Sequence, residues 1–352
     1  MKAASLWLPL ACIAGVAVLL AGGTFGYWPI PFGLNWHFDR CETDDEVDAA
    51  QRASYEDAAL DFVRKIVGST PEQAYAGATD AFKKQNPTET FLKFAQASIR
   101  PLGEIQDWRV SHSYYLTGVT IGQGGARPLV CTAVAHGSSS QPEGRVLVAH
   151  NDASQQAHVI LEGAAKGTAW AFTVWLVRES GKWHVHGFYA TPSGVAGKTA
   201  EAMWHEATSQ HGAGRDFNAF ILYATALQLS SRGPDLHLGI QSEIKKDLDA
   251  IPRPSELERE APYRWRFEGA TAPVLKVGPV PVNGKMYLLL TQELDPWPDD
   301  QGADRQNHAL IEAFSRLHPE YKNAFDGLVV DAVARGGRRG LRTVAESLSA
   351  SP

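Results

Sequence analysis

Cysteine is scarce. Cys12, Cys41 and Cys131 are the three in 352 residues, and no two form a Cys-x-x-Cys pair. That excludes a disulfide-dense miniprotein, and it excludes zinc ribbons and thioredoxin-type redox motifs in their usual form. A basic excess is missing too: 33 Lys and Arg stand against 39 Asp and Glu, a formal net charge of −6. The chain therefore lacks the electropositive stripe of a general nucleic-acid binder, and no nucleic-acid partner is expected. Catalytic signatures are equally thin. There is no Gly-x-Ser-x-Gly nucleophile elbow, and Gly278 to Gly284-Lys285 has the wrong spacing for a phosphate loop and no Ser or Thr after the lysine. Gly122-Gln123-Gly124-Gly125 reads as a turn between strands, not as a dinucleotide loop before a helix. His205-Glu206 is followed by His211 six residues on rather than four, so on a helix the two rings diverge by about 120° and zinc-protease geometry fails. No cofactor is implied.

What the chain does have is apolar and aromatic mass. Hydrophobic residues make up 44%, enough to fold, and ten Trp, ten Tyr and fourteen Phe call for large aromatic cores or aromatic-lined pockets. The length suits about two domains.

The N-terminus carries a membrane signal. No Asp, Glu, Lys or Arg lies between Lys2 and Asp39. Residues 3–23 as a helix span roughly 31 Å, matching a hydrocarbon core of about 30 Å. Phe25, Tyr27 and Trp28 follow at interface depth, and Pro29 and Pro31 stop the helix. Residues 1–35 therefore read as a single-pass transmembrane signal-anchor whose partner is the lipid bilayer. The alternative is secretion after signal-peptide cleavage, with Ala21 and Gly23 as the small residues at the cleavage site. Lys2 precedes the segment and Asp39, Glu42, Asp44, Asp45 and Glu46 follow it, which puts the C-terminal bulk in the periplasm of a bacterial cell envelope, tethered to the inner membrane. Cys12 does not suit lipoprotein processing, because Pro9 stands where a branched aliphatic is usual. In an oxidising compartment Cys41 and Cys131 either pair, constraining the unfolded chain by about 4 kcal/mol, or remain two isolated thiols.

Beyond the anchor, helices come first. Tyr55, Ala58, Ala59, Phe62, Val63 and Ile66 share one helical face, predicting a helix from Asp45 to Val67. Thr70-Pro71-Glu72-Gln73 opens a second helix carrying Tyr75, Ala78 and Phe82, and Asn86-Pro87 a third with Phe91, Leu92, Ala95 and Ile99. From Asp107 the period becomes two. Trp108, Val110, His112, Tyr114 and Leu116 alternate with Arg109, Ser111, Ser113, Tyr115 and Thr117, a strand with one wet face. Leu129 to His136, Arg145 to His150 and Gln156 to Leu161 are further strands. Thr168 to Val177 turns through Glu179-Ser180-Gly181-Lys182 into Trp183 to Tyr189.

That order, with Trp170 through Gly181-Lys182-Trp183 to Phe188 closing the sheet, resembles the nuclear transport factor 2-like (cystatin-like) superfamily over roughly residues 47–192. The resemblance implies a cone in which a curved antiparallel sheet wraps a helix around an apolar cavity. Its members include enzymes, ligand binders and interaction domains, so fold alone assigns no function. The acid/base carboxylates of its isomerase-like members have no counterparts here.

The expected fold class is α+β: an N-terminal membrane helix, this cone over residues 45–192, a helical segment over 198–252, and a small β-β-α-β-β domain over 261–347. The helical segment has Phe217, Phe220, Ile221, Ala224 and Leu227 on one face, breaks at Arg232-Gly233-Pro234, and resumes with Leu236, Ile240, Ile244 and Leu248. Arg253 to Glu260 reads as a charged linker. The last domain is marked by the Asn283-Gly284 hairpin between Pro273 to Val280 and Lys285 to Gln292.

Candidate sites are few. Trp108, His112, Tyr114, Trp170 and Phe172 are candidate lining of a ligand pocket, the alternative being satisfied core residues with polar ends at the sheet margin. His184 and His186 alternate on a strand and can share a metal if His150, Asp152 or His158 supplies a third ligand; otherwise they are partly exposed histidines. Trp297 in the acidic Asp295-to-Asp300 loop is either a partner anchor or a docked loop. Arg335, Arg338 and Arg339 form a solvated hairpin tip or meet anionic lipid or carboxylates. The resulting expectation is a non-enzymatic, membrane-anchored envelope protein that binds a protein partner or an apolar ligand. The alternative is a small pocket enzyme, a hydrolase or isomerase, on the cone domain.

Overall fold

The computed structural model describes residues 40–118, 127–132, 145–151, 153–257, 263–267, 270–337 and 339–346. The expected anchor over 1–35 lies outside the described residues, as do Gly122 to Gly125, Asp152 and Arg338. The chain is α+β and divides into two compact units. Unit 1 takes the chain through Lys166, then Trp170–Thr191 and Arg232–Gly239; unit 2 takes Gly167–Ala169, Pro192–Ser231 and the chain from Ile240. Among the described residues no helix is long and apolar enough to cross a membrane.

The described part of unit 1 begins with strand β1 (Arg40–Thr43), followed by helix α1 (Ala49–Val67). The helix starts four residues later than its periodicity suggests. Asp44 to Glu46 form a 3-10 turn, and the Asp48 carboxylate accepts from the Ala50 and Gln51 amides at 3.0 and 3.1 Å, fixing the cap there. Tyr55, Ala59, Phe62, Val63 and Ile66 form the buried stripe.

The expected second helix is two. Gly77 ends α2 (Pro71–Ala76), Ala78 bridges to Val185, and the Thr79 hydroxyl caps α3 (Asp80–Gln85) by accepting from the Phe82 amide at 3.1 Å. Thr70, the expected cap of the single helix, makes no side-chain cap hydrogen bond. Helix α4 (Thr88–Phe94) runs into one π-helical turn, Ala95–Ile99.

Seven strands follow: β2 (Gln106–Thr117), β3 (Arg127–Thr132), β4 (Arg145–His150), β5 (Gln155–Ala165), β6 (Thr168–Glu179), β7 (Lys182–Pro192) and, after an excursion into unit 2, β10 (Leu236–His237). They form two sheets, ordered β1-β2-β5-β6-β7 and β10-β4-β3. The helices bury one face of the first sheet. There Tyr55, Phe62, Ile66, Tyr115, Leu161, Phe172, Val174 and Val185 pack together, and the Phe62–Phe188 and Phe172–Phe188 rings lie 5.4 and 6.5 Å apart. The other face meets the second sheet through Tyr114, Leu116, Ile160 and Ala171 against Cys131, Val146, Val148 and Leu236. Cys41 of β1 and Cys131 of β3 are joined by a disulfide with Cα atoms 5.6 Å apart.

Unit 2 contains the short strands β8 (Gly194–Val195) and β9 (Lys198–Thr199), then α5 (Ala200–Gly212), α6 (Asp216–Ser230) and α7 (Gly239–Ala250). Its five-stranded sheet is ordered β11 (Tyr263–Phe267), β12 (Ala270–Val282), β13 (Lys285–Leu294), β14 (Gly327–Ala334) and β15 (Gly340–Glu346), with α8 (Asp300–Leu317) between β13 and β14. All neighbours are antiparallel except β13 and β14, and a helix crossover is what a parallel pair requires.

Strand β11 precedes the two expected at 273 and 285, so the order is β-β-β-α-β-β. Nor do residues 198–252 and 261–347 have separate cores: Phe217 and Leu222 of α6 share one with Trp265, Leu288, Leu290 and Phe314. Leu236, expected to continue the helical periodicity, lies in β10, and α7 begins three residues later. The Asn283-Gly284 turn closes β12 on β13 with φ of 50° and 77°, as a two-residue type I′ turn demands.

Candidate functional site

The five pocket candidates do not converge. Strand β2 slips register twice against β5, between Gln106 and Arg109 and between Val110 and His112. An extra residue in one strand turns the following side chains to the opposite face. Trp108 and Val110 therefore face the helices with Trp170 and Phe172, whereas Tyr114 and Leu116 face the second sheet. The Trp108 ring centre lies 5.2 Å from that of Phe172, and that of Trp170 lies 6.4 Å from it. His112 is more than half exposed, and its Nδ1 lies 3.2 Å from Asp44 Oδ2. The other Asp44 oxygen accepts the Ser113 amide at 2.8 Å. Burial alone would raise the Asp44 pKa, but the His112 and Ser113 hydrogen bonds outweigh it and leave it lowered. Burial raises the Tyr114 phenol above the usual tyrosine range.

The face inverted by the slip gains Ser113. Its hydroxyl donates to Glu56 Oε1 at 3.1 Å and stands 3.2 Å from the Tyr55 hydroxyl, a polar chain inside an aromatic core. Burial pushes the Tyr55 phenol up to about 12. Beside this core lies a depression of about 490 Å³, open to solvent and lined by Arg64, Val67, Gly103, Glu104, Ile105 and Trp108.

The paired histidines diverge. His184 Nδ1 lies 3.1 Å from the Gly77 carbonyl oxygen, whereas His186 Nδ1 lies 3.2 Å from the Thr79 hydroxyl and its Nε2 3.3 Å from Asn151 Nδ2. Among the described residues no group of three His, Cys, Asp or Glu has metal-binding geometry. His205 and His211 also face different carboxylates, Glu201 at 3.6 Å and Asp216 at 2.8 Å.

What His186 joins is a buried polar cluster on the second-sheet side. Trp175 is its centre: His158 stacks on the indole with ring centres 5.0 Å apart, and His186 meets it edge-on at 4.4 Å. Trp175 Nε1 donates to Gln156 Oε1 at 3.1 Å. That oxygen also accepts the Asn151 amide at 3.0 Å, and Gln156 Nε2 donates to the Asn151 and Ala153 carbonyls at 2.8 and 3.0 Å. Every polar atom of the buried Gln156 side chain is thus used to shape the β4–β5 loop. His158 donates from Nε2 to the Ala149 carbonyl at 2.7 Å, leaving Nδ1 buried with no partner among the described residues. Burial lowers the His158 pKa to about 3.

The Trp175-centred cluster was not among the sequence candidates, though one signal for it exists. Strand β6 is largely apolar on both faces, with Ala171, Thr173, Trp175 and Val177 opposite Trp170, Phe172 and Val174, which is the pattern of a sheet covered on both sides.

In unit 2 the two remaining candidates meet each other. Arg339 lies 5.4 Å over the Trp297 ring and 2.8 Å from Asp300, and Arg335 lies 2.9 Å from Asp295, so the arginine turn faces carboxylates of its own chain. The class these features define is a two-unit α+β protein with a disulfide on its first described strand. Comparison with family models, with curated proteins and with solved structures finds no match to this chain.

Proposed function

We propose that this chain is a non-enzymatic, membrane-anchored protein of a bacterial envelope, held by residues 3–23 in the inner membrane with both units in the periplasm. It uses unit 1 to bind an apolar ligand or a protein partner. The observation that carries this reading is the Cys41–Cys131 disulfide. It belongs to an oxidising compartment, and it lies on the strand that directly follows the uncharged segment from Ala3 to Phe38. Strand β1 is hydrogen-bonded to β2 in one sheet and covalently bonded to β3 in the other, so a pull on the tether is shared by both sheets instead of peeling an edge strand.

The kinship with nuclear transport factor 2-like domains is part of the proposal. Helices before an antiparallel sheet that packs on α1 support it; the β3–β4 hairpin and β10 over the second face are additions to that plan. The binding surface is the depression beside Trp108, where an indole and Ile105 offer apolar contact between Arg64 and Glu104.

Thiol trapping in intact cells, followed by fractionation, tests the address. Full-length protein in the membrane fraction, with Cys41 and Cys131 blocked to alkylation until reduced, is expected. Reactive thiols on protein in the soluble cytosolic fraction overturn it. Native mass spectrometry of the detergent-extracted chain tests the binding role: a bound small molecule or partner lost in Trp108→Ala supports the surface, and the same occupancy in that variant removes it.

A further inference from the structure

The contacts of His186 fix its protonation state from both sides. Asn151 Oδ1 accepts the Ala153 amide at 2.9 Å, so the Asn151 side chain presents its NH2 to His186 Nε2, 3.3 Å away. An NH2 group can only donate, so Nε2 carries no proton. Nδ1 then carries it and donates to the Thr79 hydroxyl oxygen, 3.2 Å away, which also receives the Phe82 amide. A neutral ring with the Nδ1–H tautomer satisfies all three groups. A second proton, on Nε2, sets N–H against NH2.

We infer that His186 is a proton-operated latch: neutral, it ties the cap of α3 to the β4–β5 loop through the Asn151 side chain, and protonated at Nε2 it releases that side chain and, with it, the acceptor of the Ala153 amide. What is released is small. Ala149 stays held by His158 Nε2 and by the carbonyl of Asp235, which accepts the Ala149 amide at 2.8 Å, and Gln156 keeps the Asn151 amide and the Asn151 and Ala153 carbonyls, so the change is confined to the Asn151 side chain and the Ala153 amide.

The elements around His186 carry few charges to compete. Glu179 on β6 favours the protonated ring; His158 on β5 and His150 on β4 are the other imidazoles of the cluster. Asp235 lies against Gly187, Asp80 follows Thr79 on α3, and His184 points to the Gly77 carbonyl. Burial of the His186 ring lowers its pKa, with Glu179 opposing. This inference stands on unit 1 geometry alone and is independent of the proposed membrane location.

Imidazole nitrogen NMR on the full chain tests it without a substitution. The expected result is an Nδ1–H tautomer for His186 at neutral pH, with the Asn151 side-chain amide and the Phe82 backbone amide shifting at the same midpoint as the ring on acidification. Below that midpoint, exchange of the Ala153 amide should rise about tenfold per pH unit relative to His186→Gln at the same pH, because glutamine keeps an acceptor without a titrating ring. An Nε2–H tautomer at neutral pH overturns the latch. So does an Asn151 resonance that is indifferent to the His186 titration, or one that keeps the same midpoint in His186→Gln.

Discussion

The two faces of the β1-β2-β5-β6-β7 sheet are built on different principles. Toward the helices the strands present Trp108, Tyr115, Phe172, Val174 and Phe188, and the contact is dominated by ring packing, joined by short polar links such as Tyr55 to Ser113 to Glu56. Toward the second sheet the apolar part is smaller, and beside it lies the cluster of Trp175, His158, His186, Gln156 and Asn151. Ring packing is non-directional and tolerates small shifts, whereas a buried hydrogen-bond network fixes one arrangement and fails when a member is lost. The helix side therefore supplies stability. The second-sheet side supplies a particular loop conformation and a sensitivity to protons.

The largest expected effect breaks the helix face. Phe172 has no exposed surface and contacts the rings of Trp108, Trp170 and Phe188. Phe172→Ala should cost about 3 to 5 kcal/mol, measured as a lower denaturant midpoint of unit 1. A loss under about 1 kcal/mol would mean that the aromatic face is not what carries the stability.

The comparison sharpens with Gln156→Leu, which keeps similar bulk but strips the hub from the other face. Trp175 Nε1 and the Asn151 amide lose their acceptor, and the Asn151 and Ala153 carbonyls lose a donor. A buried group left unpaired costs about 1 to 3 kcal/mol, and loop relaxation toward water recovers part of the sum, so we expect a total of about 2 to 3 kcal/mol. The distinguishing sign is location. Amide protection should fall in the β4–β5 loop and around Trp175 while α1 keeps its own; a uniform loss across unit 1 would contradict the division between faces.

Much of this arrangement is legible in the residues, and the illegible parts have physical causes. The stripe from Tyr55 to Ile66 marks a buried helical face because its spacing leaves one solution. Asn283-Gly284 marks a hairpin because few residues adopt its two positive φ values. The face of β2 was not legible. Its alternation looks continuous from Trp108 to Leu116, yet two register slips without a marking glycine divide it, with Asp107 at φ 55° beside the first. The second slip, between Val110 and His112, separated Trp108 from His112 and Tyr114 and dissolved the expected pocket. The cluster around Trp175 was hidden for another reason: Asn151, Gln156, Trp175 and His186 come from different strands and loops, and only strand pairing assembles them. The strap from Arg232 to Gly239 was hidden likewise. Helical spacing continues through Leu236, but Gly233 at φ 96°, with Tyr189 where a Cβ would stand, diverts the chain into β10.

The smallest effect is a slope, and it separates the faces without touching packing. His158 has a lowered pKa of about 3 in the folded protein because burial disfavours the charged ring, against about 6.5 in the unfolded chain. Between those values the unfolded state binds the extra proton, so stability is complete above pH 6.5 and declines as pH falls, by about 1.4 kcal/mol per unit and about 2 kcal/mol by pH 5. His158→Gln keeps a donor for the Ala149 carbonyl and removes the titrating ring. Denaturant titrations from pH 7.5 to 5 should show its proton uptake on unfolding reduced by about one relative to wild type, whereas Phe172→Ala lowers the whole curve without changing its slope. If His158→Gln also kept the wild-type slope, the imidazole would titrate in the fold as it does in the unfolded chain, and the second face would owe its order to packing, as the first does.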